Sequence, residues 1–199
     1  MKVVSVLYRL APENVYPAAV EDAIAVYKEL LKTHSAHQIA IYGTSAGAII
    51  TGEVAVRIKD LGLPEPAALG IFSGSGDFAR KGDSLSIFGI PGLSGHLDPP
   101  KEVPHATEYL HGADPLNPLI SPIYADLHGM PPTLFVSSER DVLMSGTTNL
   151  HRAFLKAGVD AQLIVFDALP HAFWYEPGLP ESIEANHFMA DFLVRQLGK

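Results

Sequence analysis

The chain has 199 residues, a length for one domain, and 47% of them are apolar, ample for a buried core. A formal charge of −8, with both signs interspersed, argues against nucleic acid and anionic membrane surfaces as partners. There is no cysteine, so disulfide and thiolate chemistry are excluded, and no apolar run approaches the length of a membrane span.

Val3 to Tyr8 reads as a buried strand, a short apolar run ended by Arg9 and Pro12. That run is too short for a signal peptide and Arg9 interrupts it, so a cytoplasmic protein is expected. From Pro17 a helix is predicted, with Val20, Ile24, Val26, Tyr27, Leu30 and Leu31 at helical spacing and Glu21 and Asp22 near its positive end. Gln38 to Tyr42 is predicted as a strand, Ala46 to Leu61 as a helix stopped by Gly62 and Pro64, and Ala67 to Ser73 as the next strand. From Gly74 to Asn117 the pattern dissolves into Gly, Pro and His, the mark of a long functional loop. Strands are predicted again at Pro132 to Ser137 and Gln162 to Phe166. Helices are predicted at Ser145 to Ala157 and Glu181 to Leu197, with Leu150, Ala153 and Phe154, and Ile183, Phe188 and Phe192, facing inward. Continuous apolar strands alternating with helices indicate an α/β fold, a mostly parallel sheet with helices on both faces. One domain over 1–199 is expected.

Three segments carry chemistry. Ala40-Ile-Tyr-Gly-Thr-Ser-Ala-Gly-Ala-Ile-Ile50 places Gly43-x-Ser45-x-Gly47 between two apolar runs. This is the form of a nucleophile elbow, a strand turning sharply into a helix with serine at the apex. Thr133-Leu-Phe-Val-Ser-Ser-Glu-Arg-Asp141 is a strand-like run with a carboxylate just past its end. Leu163-Ile-Val-Phe-Asp-Ala-Leu-Pro-His171 is another, followed by a histidine. Open α/β sheets deliver functional groups from the carboxyl ends of their strands, and a serine hydroxyl needs a base to become a nucleophile.

Each residue also has a plainer reading. Asp141 is placed to cap the helix that follows, and Glu139 is a rival acid that strand alternation puts on the same side. His171 lies among Pro170, Phe173 and Trp174, where a structural histidine would also be at home. His34 and His37 have a metal-compatible spacing without a nearby carboxylate or thiolate, so no metal and no cofactor is expected. His96, His105 and His111 fall in the long loop. Gly74-Ser-Gly76 lacks the third glycine and helix start of a nucleotide loop.

Val6-Leu-Tyr-Arg-Leu-Ala-Pro-Glu13 with Tyr16-Pro17, the Gly-Thr-Ser-Ala-Gly elbow and Asp114-Pro-Leu-Asn-Pro-Leu-Ile-Ser-Pro122 together resemble the hormone-sensitive-lipase-like esterases. The order Ser45, Asp141, His171 is that of α/β-hydrolases. The resemblance implies an α/β-hydrolase fold, hydrolysis of small-molecule carboxylic esters by a Ser45–His171–Asp141 triad, and the Ala46 N–H as one oxyanion donor. It also implies that 74–117 is a cap or pocket-wall insertion, and a homodimer through Gln162–Phe166 and the helix from Glu181. The family's His-Gly-Gly segment, which supplies further oxyanion donors, does not occur in these residues. The expectation is an N-terminally truncated hydrolase with impaired turnover. The lost strand leaves a gap between Val3–Tyr8 and the nucleophile strand, to be closed by direct pairing or by another chain. The alternative is a non-catalytic remnant that binds a ligand or oligomerises.

Overall fold

The two central strands of the sheet are apolar runs buried because helices cover both of their faces, while the two outer strands are only partly buried. The computed structural model describes residues 2–80, 82–88 and 106–198. Strands β1 (Ala40–Thr44), β2 (Ala68–Phe72), β3 (Thr133–Arg140) and β4 (Ala161–Pro170) form one sheet in that order. Every neighbouring pair is parallel, so each crossover carries a helix. The helices are α1 (Ala18–Leu30), α2 (Ala46–Asp60), α3 (Gly82–Phe88), α4 (Ala106–Leu110), α5 (Met144–Lys156) and α6 (Pro180–Leu197).

Strand alternation divides the core. Leu69, Ile71 and Phe135 point to one face and pack with Ala48 and Ala55 of α2 and Leu150 and Phe154 of α5. Ala68, Phe72, Leu134 and Val136 point to the other face and meet Phe173, Trp174 and the Ala185, Met189 and Phe192 side of α6. α1 lies outside α2 and packs Val20, Ile24 and Tyr27 against Ile50, Val54 and Ile58. Burying such side chains stabilises by about 1.5–3 kcal/mol each. The carboxyl ends of all four strands therefore emerge at one rim of a rigid sheet.

Three expectations are corrected. Val3–Tyr8 is not a strand: residues 2–10 are irregular, Val3 is 61% exposed and Leu7 fully so. A strand needs a neighbour for its backbone groups, and among the described residues none lies beside this segment. Direct pairing of this segment with the nucleophile strand does not occur, and the outer edge of β1 is unpaired among the described residues. The segment is tied instead by Arg9, whose backbone N–H and guanidinium both donate to the Asp22 carboxylate at 2.8–3.0 Å.

On α6, Ile183 and Phe188 point outward, 57% and 42% exposed, while Phe192 is buried. Nine residues at about 100° each turn the helix half-way round, so Ile183 opposes Phe192. The inner face is set by Ser182, Ala185, Met189, Phe192, Leu193 and Gln196. The third correction falls within the long loop, which contains the short helices α3 and α4. His96 and His105 lie outside the described residues.

Candidate active site

β1 ends at Thr44 and α2 begins at Ala46, so Ser45 occupies the whole turn, with φ 57° and ψ −120°. That is strained backbone for a residue with a side chain, of the kind held by its surroundings at functional sites. Gly43 permits the turn: a Cβ there would lie 2.3 Å from the carbonyl carbon and oxygen of Gly47. Gly47 has open space at the corresponding position, so the close approach needs the first glycine and not the second. The Ser45 N–H donates to the Phe72 carbonyl at 3.0 Å, fixing the apex to the end of β2. The Ala46 N–H heads α2, where the first helical N–H groups have no carbonyl behind them and the positive end of the helix dipole lies.

The structure brings Ser45, Asp141 and His171 together although 126 residues separate the first from the last. His171 Nε2 lies 2.9 Å from Ser45 Oγ, and its Nδ1 lies 2.7 Å from Asp141 Oδ1. The Asp141 side chain is fully buried, whereas that of His171 is 22% exposed. The imidazole therefore stands between a reachable hydroxyl and a dry carboxylate.

Asp141 owes its position to the end of β3. The β3–β4 register shifts between Ser138 and Arg140, which breaks the alternation that would have paired Glu139 with Asp141. Glu139 is exposed and Asp141 is buried, so the rival acid points away. The helix-capping reading of Asp141 is also correct, since its Oδ1 accepts the Leu143 N–H at 2.8 Å. Its Oδ2 accepts from Ser137 Oγ at 2.8 Å and from Ser73 Oγ. Burial alone pushes this carboxyl upward. The hydrogen bond and charge of His171, with the Ser73 and Leu143 donors, hold it below its ordinary value. His171 follows β4, which runs four residues past the predicted end, and Ser138 Oγ donates to the Leu169 carbonyl at 2.5 Å. Ala172 adopts φ 55°, turning the chain back into the body.

Ser73 and Ser137 were not singled out by sequence reasoning. The one signal available was a polar residue closing each otherwise apolar strand. His34 is exposed and contacts Thr33 Oγ1, His37 is exposed, and His111 lies in a turn at φ 45°. Among the described residues no group of three His, Cys, Asp or Glu could hold a metal ion.

A family model for the α/β-hydrolase fold matches residues 1–175. The chain belongs to the α/β-hydrolase family. It is 35% identical over 202 residues to an acetyl-hydrolase of Streptomyces hygroscopicus, covering 99% of this chain and 66% of that protein. A solved esterase of the bacterial hormone-sensitive lipase family is 35% identical with a TM-score of 0.88, over 96% of this chain and 64% of that one. The esterase EstE5, soaked with p-nitrophenyl butyrate, is 33% identical with a TM-score of 0.85, over 96% and 65%. This α/β-hydrolase thus spans just under two thirds of the relatives it matches. Among its described residues no helix is long and apolar enough to cross a membrane.

Proposed function

We propose that the protein is a carboxylic ester hydrolase acting through an acyl-enzyme intermediate, with Ser45 as nucleophile, His171 as base and Asp141 as the residue that orients it. One observation carries the reading: the imidazole spans the two partners at 2.9 and 2.7 Å. Ser45 Oγ attacks the ester carbonyl carbon while its proton passes to His171 Nε2. The Asp141 carboxylate accepts the Nδ1–H, fixes the tautomer and stabilises the imidazolium without taking the proton. The carbonyl oxygen becomes an oxyanion beside the Ala46 N–H at the start of α2. Collapse expels the alcohol, protonated by His171, and water then attacks the acyl-serine by the same path in reverse.

Short to medium acyl chains are the proposed substrates, supported by similarity to the acetyl-hydrolase and to EstE5, soaked with p-nitrophenyl butyrate. Removing one oxyanion donor costs roughly two to three decades in rate, which is the scale of the contribution proposed for the Ala46 N–H. No participation of nucleic acid is proposed, in keeping with the net charge of −8. The test is hydrolysis of p-nitrophenyl acetate and butyrate by the protein and by Ser45→Ala. Turnover that vanishes in the variant supports the reading, and equal rates refute it. A folded protein with an inert Ser45 would instead favour a non-catalytic binding module.

We also propose a homodimer through the outer edge of β4 and the adjoining α6. Exposed Val165, Ile183 and Phe188 support this placement. Sedimentation velocity of Phe188→Asp is expected to show monomer where the parent shows dimer; a monomeric parent contradicts it.

A further inference from the structure

The carboxyl end of β2 touches all three segments that carry the proposed triad. The Phe72 carbonyl accepts the Ser45 N–H at 3.0 Å. The Gly74 carbonyl accepts from Thr147 Oγ1 at 2.6 Å, on the helix that follows Asp141. Between them the Ser73 hydroxyl donates to Asp141 Oδ2 and accepts the N–H of Ala172, the residue after His171, at 3.3 Å. A hydroxyl has one proton and two lone pairs, so both bonds are made without conflict.

Ser73 is fully buried and its φ is 49°, a conformation that disfavours any residue with a Cβ. Its N–H is pinned to the Val136 carbonyl at 2.7 Å. The next residue is pressed against the nucleophile helix, since a Cβ on Gly74 would lie 2.7 Å from that of Ala48. A strained backbone persists where several contacts over-determine it, and here they converge on one hydroxyl.

The two oxygens of Asp141 have divided duties. Oδ1 takes His171 and the Leu143 N–H, and Oδ2 takes the Ser73 and Ser137 hydroxyls. The pair on Oδ2 fixes the rotation of the carboxylate and so aims Oδ1 at the imidazole. Ser137 lies four residues before Asp141 and holds the acid only to its own strand. Ser73 directly follows a different strand, β2, and holds the acid and the histidine turn at once.

We propose that Ser73 is a positioning residue for ester hydrolysis, setting Asp141 and His171 in register through a hydroxyl bonded to both segments. The proposal rests on the esterase reading. Without that hydroxyl, Oδ2 keeps one donor and the turn after His171 loses its tether. The carboxylate, less well satisfied, then binds the imidazolium more strongly.

The test compares Ser73→Ala and Ser73→Gly with the parent, using p-nitrophenyl butyrate turnover and the low-field proton resonance of the His171–Asp141 bond. Glycine accepts the positive φ without strain, so Ser73→Gly decides the matter if Ser73→Ala does not fold. Both variants are expected to lose roughly 10- to 100-fold in kcat, the scale of lost outer partners in other sites, with KM within about twofold. The pH of half-maximal activity on the acid side is expected to rise, and the low-field resonance to shift or broaden. Ser137→Ala is expected to lose less than either. Unchanged kcat and pH profile overturn the proposal. So does a loss of kcat with both the profile and the resonance unmoved, which marks a merely structural role. If the parent hydrolyses no ester, the esterase reading has failed, while the resonance and its response to Ser73→Gly still judge the positioning claim.

Discussion

Replacing Glu53 by glutamine is expected to flatten a stability that otherwise falls as pH rises. Glu53 sits on α2 with no exposed surface, its Oε2 accepting the Tyr109 hydroxyl at 2.7 Å and its Oε1 without a partner. Tyr109 stands edge-on to Tyr16 at 6.0 Å, so the surroundings are aromatic. Burial pushes the Glu53 carboxyl up to about 8, opposed only in part by the Tyr109 hydrogen bond. Burial, then the neighbouring Glu53, raises the Tyr109 hydroxyl as well.

The folded state holds a proton that the unfolded chain releases above its ordinary value of 4.5, so stability declines between there and about 8. Linkage puts the cost at about 1 kcal/mol at pH 5 and about 4 kcal/mol at pH 8. Glutamine keeps an acceptor for Tyr109 and carries no charge, at a cost of about 1 kcal/mol for its unpartnered amide. Urea unfolding at pH 5 and pH 8 should find Glu53→Gln near parity at the lower pH and about 3 kcal/mol more stable at the higher. A difference constant within about 1 kcal/mol across that range would refute the reasoning.

Gly43→Ala forces a Cβ to within 2.3 Å of the Gly47 backbone, so unfolding at a lower temperature and loss of turnover are expected by calorimetry and ester assay. Asp141→Asn leaves one oxygen where two served four donors; turnover is expected to fall about 10⁴-fold through the wrong imidazole tautomer, read by kcat. Leu150→Ala empties a fully buried site between α5 and the sheet and should cost about 2–5 kcal/mol in denaturant unfolding.

Much of the fold was legible because its signals are local. The apolar runs of β1 to β4 and the Gly43-x-Ser45-x-Gly47 turn depend on residues adjacent in sequence, and Ser45, Asp141 and His171 each follow such a run. What was misread depends on neighbours distant in the chain. Val3–Tyr8 has the composition of a strand, but a strand exists only beside another, and none pairs with it among the described residues. Asp141 was the acid chosen, but strand alternation put Glu139 on the same side until the irregular register after Ser138 separated them, and no pattern in one strand encodes that shift. Ile183 and Phe188 were assigned inward by type, while the helical period sets Ile183 opposite Phe192 and Phe188 falls at the margin of the buried face, 42% exposed. Ser73 was invisible as a functional residue because its partners, Asp141 and Ala172, are 68 and 99 residues away.

The central claim is tested most directly by treating the folded protein with a fluorophosphonate and mapping the adduct by peptide mass spectrometry. A single adduct on Ser45, absent from both Ser45→Ala and His171→Ala, is the predicted result. An adduct on another serine, or none on a protein that remains folded, would contradict the account.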